Sequence, residues 1–274
     1  MRSILVTGVS SGIGAATAEH FLKRGWRVIG TVRKAQDAAS LVSGWKGSFS
    51  PLLLDVTDQD SVARLPTEVE ELLHGAPLDV LCNNAGTSMP AATVYQSVPG
   101  FRDAVELNLV APFAVTRSLF PLIRRPGGRV IFVGSLAGVD PLPFCAAYSA
   151  AKHGIEGLAG SLRVELSQLG IGVSVIVPGS VRTAIGSKIG PDTPLEGADS
   201  EFGHAFGRMA QHMAKEAQQA LDPIEVARVI ERTCESRNPK ARYVVTPGYF
   251  ENWLLPRLLG QGWAEKRWRQ RLFG

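Results

Sequence analysis

A chain of 274 residues with 45% hydrophobic and 20% charged residues fits one large soluble α/β domain with a substantial core. Three scattered cysteines (Cys82, Cys145, Cys234) lack metal-ligand spacing, and the five histidines form no H-E-x-x-H pattern, so neither a disulfide framework nor a metal site is expected. A net charge of only +4, with no helix-turn-helix or basic-aromatic motif, argues against nucleic acid, and no apolar run suggests a signal peptide or membrane span.

Strand and helix patterns alternate from the start. Ser3-Ile4-Leu5-Val6-Thr7 reads as a buried strand, followed by a helix from Gly12 to Arg24 that stops at Gly25. Further strands are predicted at 26–32, 49–55, 78–83, 129–134 and 172–177, with a short last one at 243–245. Near-continuous apolar strands of this kind imply a parallel sheet buried on both faces. Right-handed crossovers then give a doubly wound α/β fold in a single domain.

Two long helices are expected at about 100–124 and 146–169, and they are the expected contacts of a homodimer or homotetramer. Residues 185–221 begin rich in proline and glycine. They continue with Phe202, Phe206, Met209 and Met213 at helical spacing, and are read as a substrate lid. Asp222-Pro223 opens a further helix. The domain is expected to span 1–250, with 251–274 as an amphipathic extension.

Three features carry chemistry. Thr7-Gly8-Val9-Ser10-Ser11-Gly12-Ile13-Gly14 joins the first strand to the first helix, where glycines let backbone N–H groups approach a pyrophosphate at the helix N-terminus. The second strand ends in Val32-Arg33-Lys34 with no carboxylate before Asp37, so Arg33 offers its guanidinium to a 2′-phosphate and points to NADP(H). The Ser11 hydroxyl can add a donor. Tyr148 and Lys152 stand one helical turn apart, and an ammonium beside a phenol is expected to lower the phenol's pKa from about 10. Ser135 ends the fifth strand, where its hydroxyl can hold a substrate oxygen. His153 lies one residue round the helix from Lys152 and is expected to face away.

Thr7 to Gly14, Asn83-Asn84-Ala85-Gly86, Asn108, Ser135, Tyr148, Lys152 and Pro178-Gly179 together resemble the short-chain dehydrogenase/reductase family in its compact branch. Residues 134–143, 147–152 and 162–166 resemble its 17β-hydroxysteroid and retinol dehydrogenase-like group. The resemblance implies a Rossmann-like domain with Tyr148 as acid/base. Lys152 would also bond the nicotinamide ribose, and Asn108 would kink its helix and hold a proton-relay water. It also implies a dinucleotide held by Gly8, Ser10, Ser11, Gly12, Ile13, Gly14, Arg33, Asp55, Val56, Asn84, Ala85, Gly86, Tyr148, Lys152, Pro178, Gly179, Val181 and Thr183. Asp55 and Val56 would meet the adenine edge and Thr183 the nicotinamide carboxamide, while Asn83-Asn84-Ala85-Gly86 would also brace the sheet.

The expected function is an NADP(H)-dependent alcohol dehydrogenase/carbonyl reductase acting on a hydrophobic steroid, retinoid, other lipid-like or aryl substrate. Ser88, Met89, Leu136, Val139, Leu142, Phe144 and Gly179 are the expected apolar walls. A non-catalytic dinucleotide-binding regulator and a sugar-nucleotide epimerase or dehydratase are the alternatives. The chain is expected to be cytoplasmic. Its segment 251–274 holds five basic and two acidic residues with Trp253, Trp263 and Trp268, and either packs on the domain or meets an anionic membrane surface peripherally.

Overall fold

The computed structural model describes residues 1–183 and 196–274. Seven parallel strands form one sheet in the order β3-β2-β1-β4-β5-β6-β7. They are β1 Ser3–Val6, β2 Arg27–Val32, β3 Phe49–Leu53, β4 Val80–Asn83, β5 Arg129–Val133, β6 Gly172–Pro178 and β7 Arg242–Val245. Ile4, Leu5 and Val6 of β1 are wholly buried, so both sheet faces are covered, as a parallel sheet requires.

One face is covered by α1 (Gly12–Lys23), α2 (Ala35–Gly44) and α8 (Pro223–Glu235), through Phe21 and Leu22 of α1 and Val226, Val229 and Ile230 of α8. The other is covered by α3 (Gln59–Leu73), α5 (Ala111–Ile123) and α6 (Ala146–Ser167). Side chains such as Leu65, Leu119 and Ile155 fill this layer, each stabilising by about 1.5–3 kcal/mol on full burial.

The observed elements depart from the sequence expectation in instructive places. The sequence pattern left α2 and α3 unassigned. α2 buries no residue fully and packs only Ala38 and Leu41 partly against the core, so its apolar stripe is short. α3 has such a stripe in Val62, Leu65, Val69 and Leu73, capped by Asp58 accepting from Ser61 N at 3.1 Å, but Pro66 lies within it. β3 stops at Leu53 rather than 55, and β4 begins at Val80 rather than 78. The helix expected from 100 begins at Val98, where Ser97 caps α4 (Val98–Val105), and then widens into a π-helical turn, Glu106–Val110, before α5. Such turns gather at functional sites.

Beyond β6, residues 185–195 of the expected lid lie outside the described residues. α7 (Gly203–Gln218) is the amphipathic helix its Phe206 and Met209 spacing implies. After β7 a π-helical turn (Phe250–Leu254) runs into α9 (Leu255–Leu259), and Gly260 at φ +81° separates it from α10 (Gln261–Phe273). Trp253 joins the main core. Trp268 and Leu272 pack with Phe206, Met209 and Phe144 in a third apolar cluster. No helix among the described residues is long and apolar enough to cross a membrane, and no cluster of metal-ligating side chains is found among them.

Candidate active site

The sequence-expected catalytic residues converge at the C-terminal edge of the sheet, where β1, β4, β5 and β6 release their chains. Tyr148 and Lys152 lie one turn apart on α6, with the Lys152 Nζ 5.6 Å from the phenol ring centre. That ammonium is buried and donates to the Val133 carbonyl at the end of β5, at 2.8 Å. Burial pushes Lys152 down to about 8. Burial also pushes Tyr148 up to about 12, while the Ser135 hydroxyl pulls it the other way.

The expected lowering of the phenol by Lys152 is therefore corrected. Desolvation favours the neutral form of each group and is the largest cause at both. Ser135 caps a short 3-10 turn, accepting from Ala137 N at 3.1 Å. His153 is exposed, and its Nδ1 bonds the Ser149 carbonyl at 2.8 Å, away from the phenol.

Asn108 sits inside the π-helical turn and is fully buried. Its Nδ2 donates to the carbonyls of Thr87 and Ala104, each at 2.9 Å, whereas its Oδ1 has no partner among the described residues. That oxygen faces Gly86: a Cβ there would stand 2.6 Å from it and 3.8 Å from Lys152 Nζ. A buried acceptor opposite an ammonium is where an ordered water satisfies both.

The glycine turn is built by its neighbours. Thr7 Oγ1 accepts from the N–H groups of Asn84 and Ala85, each at 2.9 Å, and Asn84 Nδ2 donates to the Thr7 and Gly8 carbonyls at 2.9 and 3.1 Å. Gly14 is forced by contact, since a Cβ would lie 2.1 Å from Gly8 O and 2.5 Å from Asn84 Nδ2. Gly12 is forced by its φ of +59°. Ser10 and Ser11 are exposed, and Ser11 occupies the N-cap of α1 without a side-chain cap bond. The positive end of α1 is thus turned to an incoming anion with no hydroxyl covering it, and the donor set fits a pyrophosphate.

Arg33 is exposed at the end of β2, with no acidic residue before Asp37. Bonds from the Thr57 side chain and backbone, with a contribution from Arg33, hold the Asp55 carboxyl below the usual range. Val56 beside it is buried and Ile13 partly buried. At the end of β6, Pro178 pairs with Val245, and Gly179 lies against Thr246. Val181 bridges to Leu221, and Thr183 rests against Gly12.

Of the expected substrate walls, Leu136 and Val139 pack beside the main core, and Ser88 is buried with its Oγ 3.8 Å from Cys145 Sγ. Leu142 and Phe144 belong to the third cluster, whereas Met89 stands 56% exposed. Cys145, whose thiol burial pushes up to about 11, lies near Ser88 and Thr246 lies against Gly179, and sequence reasoning singled out neither for the site. The position of Cys145 three residues before Tyr148 was the available signal. Thr246 carries no motif. A surface recess of about 480 Å³ lined by Arg124, Arg125, Pro126, Gln168, Leu169 and Gly170 lies at the opposite edge of the sheet and takes no part in the site.

Comparison with known proteins matches this arrangement. The profile of a family described as short chain dehydrogenase covers residues 2–194. The NADPH-dependent 3-dehydrocapnine reductase of Ornithobacterium rhinotracheale is 33% identical over 253 residues, 90% of this chain and 89% of that one. A crystal structure of a short-chain dehydrogenase from Streptomyces avermitilis superposes with a TM-score of 0.80 at 28% identity, covering 98% of this chain and 96% of that one. A variant of actinorhodin polyketide ketoreductase with NADPH gives 0.78 at 26%, covering 92% and 98%.

Proposed function

The chain belongs to the short-chain dehydrogenase family, and from that membership we propose that it is an NADP(H)-dependent oxidoreductase that interconverts a carbonyl and a hydroxyl on a hydrophobic substrate. The observation that carries this reading is the partly buried Tyr148 over the buried Lys152, with Ser135 beside the phenol. NADP(H) is supported by the exposed Arg33 at the end of β2, and by the NADPH named for the Ornithobacterium relative and the ketoreductase.

Gly8 to Gly14, Arg33, Asp55, Asn84 to Gly86 and Thr183 are the residues that would hold the dinucleotide. When bound, it supplies a hydride to the substrate carbon or takes one from it. Ser135 donates a hydrogen bond that fixes the substrate oxygen. Tyr148 then gives its proton to that oxygen as negative charge develops there. The un-ionised phenol is the form that can give a proton in the reductive direction. Lys152, anchored on Val133, sits beside the phenol, and the open Oδ1 of Asn108 holds a water through which a proton can return. Leu136, Val139 and Leu142, packed beside the apolar clusters, would keep bulk water from the reacting oxygen.

The same reading makes the chain a homo-oligomer joined through α4–α5 and α6. It is supported by Phe101, Phe113 and Val164 standing 38%, 46% and 76% exposed.

The test is Tyr148→Phe, followed by NADPH binding and single-turnover reduction of a ketone panel. Binding within about twofold of wild type and turnover lowered by about 10³-fold are expected. A variant that keeps more than about a tenth of the wild-type chemical rate removes Tyr148 from the acid role.

A further inference from the structure

Phe144 and His74 are the only described non-glycine residues at positive φ, and Phe144, at +60°, is the bulky one. An aromatic residue held there is strained by about 1–3 kcal/mol and persists only where its surroundings over-determine it. The surroundings do so from both sides. The Phe144 carbonyl accepts from Ala91 N at 2.8 Å. The turn before it is tied to the first turn of α6, because Leu142 N donates to Ser149 Oγ at 3.1 Å and Ser149 N to the Cys145 carbonyl at 2.8 Å. The ring stacks on Phe206 of α7, with centroids 4.2 Å apart and planes at 26°, and meets the edge of Phe202 at 6.4 Å.

The contacts continue outward. The inward residues of α7, Ala205, Phe206 and Met209, pack with Phe144, Ala92 and Leu272 rather than with the two large sheet-face cores. α10 is in turn clasped to α7 by Arg271 against His212 Nε2 at 3.2 Å, by the His212 ring edge on Trp268, and by Arg208 to the Gly274 carbonyl. Phe144 is thus the apolar link between these two helices and the start of the helix that carries Tyr148.

Resting on the function proposed above, we propose that Phe144 is a specificity-determining residue that latches α7 and α10 beside the reacting groups. The wall so formed gives long or bulky apolar substrates their advantage over short ones. A small ketone reaches only Ser135, Tyr148 and the cofactor; a long one also lies along this wall and gains binding from it.

The experiment compares NADPH-dependent reduction of ethyl acetoacetate and ethyl 3-oxododecanoate by the full chain. For Phe144→Leu the long-to-short ratio of kcat/KM falls about tenfold, chiefly through KM of the long ester. Leu272→Ala, remote from the reacting atoms, lowers the same ratio about threefold and leaves the short ester within about twofold. The double variant falls less than the product of the two, because both act through one contact chain. Equal losses on both esters, or an unmoved ratio, overturn the latch.

If Phe144→Leu does not fold, Leu272→Ala alone decides. If the wild type reduces neither ester, hydrogen exchange decides without a substrate. Faster exchange of the α7 amides in Leu272→Ala, with β1, β4 and β5 unchanged, supports the latch; unchanged exchange in α7 overturns it.

Discussion

The two sides of the active site are built on different physics. On the cofactor side, position is set by backbone groups and small residues at hydrogen-bond distance: Thr7 on Asn84 and Ala85, Asn84 on Gly8, Gly14 against both. On the proposed substrate side, position is set by apolar side chains meeting across loops, such as Phe144 on Phe206 and Leu272 beside Met209. Hydrogen-bonded turns tolerate almost no change of residue type, whereas an apolar wall tolerates many changes of comparable volume. One scaffold can therefore keep its hydride chemistry while its substrate wall varies.

The sharpest way to break this contrast is Gly14→Ala. A single methyl would meet Gly8 O at 2.1 Å and Asn84 Nδ2 at 2.5 Å, neither of which is a flexible end. Loss of measurable NADPH binding by calorimetry and a destabilisation of about 3 kcal/mol are expected, against well under 1 kcal/mol for Met213→Leu on the substrate side. A Gly14→Ala protein that binds NADPH normally would refute the rigid reading of the cofactor side.

Arg33 sharpens the comparison within the cofactor side, because it is exposed and held by no turn. Val32→Asp with Arg33→Ala should shift the NADPH-to-NADH ratio of kcat/KM by about 10²-fold towards NADH, with the melting temperature little changed. Equal use of both cofactors by the wild type would show that Arg33 does not choose between them.

Lys152 gives the smallest effect and one with a pH signature. Its folded-state pKa, about 8, is depressed by burial from 10.5. Below pH 8 the buried charge is a full penalty. Between 8 and 10.5 the unfolded chain holds more protons than the folded one, so stability rises with pH and the penalty fades. Lys152→Met should lose turnover and still resist urea better than wild type at pH 7, by on the order of 2 kcal/mol. That advantage should shrink as pH rises through 8 to 10.5. A variant less stable than wild type at pH 7 would mean that the bond to Val133 outweighs desolvation.

What the sequence made legible divides along the same line. Glycine spacing, Asn84, Asn108 and the Tyr148–Lys152 pair act through short-range geometry, and the chain order places them together once the strands are recognised. The bulge at 106–110 was implied only by family resemblance, because asparagine in a helix does not by itself say which way the helix yields. The positive φ of Phe144, the entry of Trp253 into the main core and the seating of Leu272 on α7 were not legible. Each depends on what the chain meets far along its length. The direction of the Tyr148 shift was misread for a related reason: residue spacing shows a neighbouring charge but not how much water burial removes.

The strand order has a consequence for how the molecule is made. β1 precedes the other strands of the sheet in the chain yet lies inside it, between β2 and β4. Its Leu5 stays unpaired on one side until Leu81 is synthesised, and its apolar residues wait in the open meanwhile. Pairing that joins distant parts of the chain is slow to form, and uncovered strand edges associate with other chains. Trp253 and Leu272 follow β7 in the chain, so the main core and the third cluster that they join draw on residues beyond the last described strand.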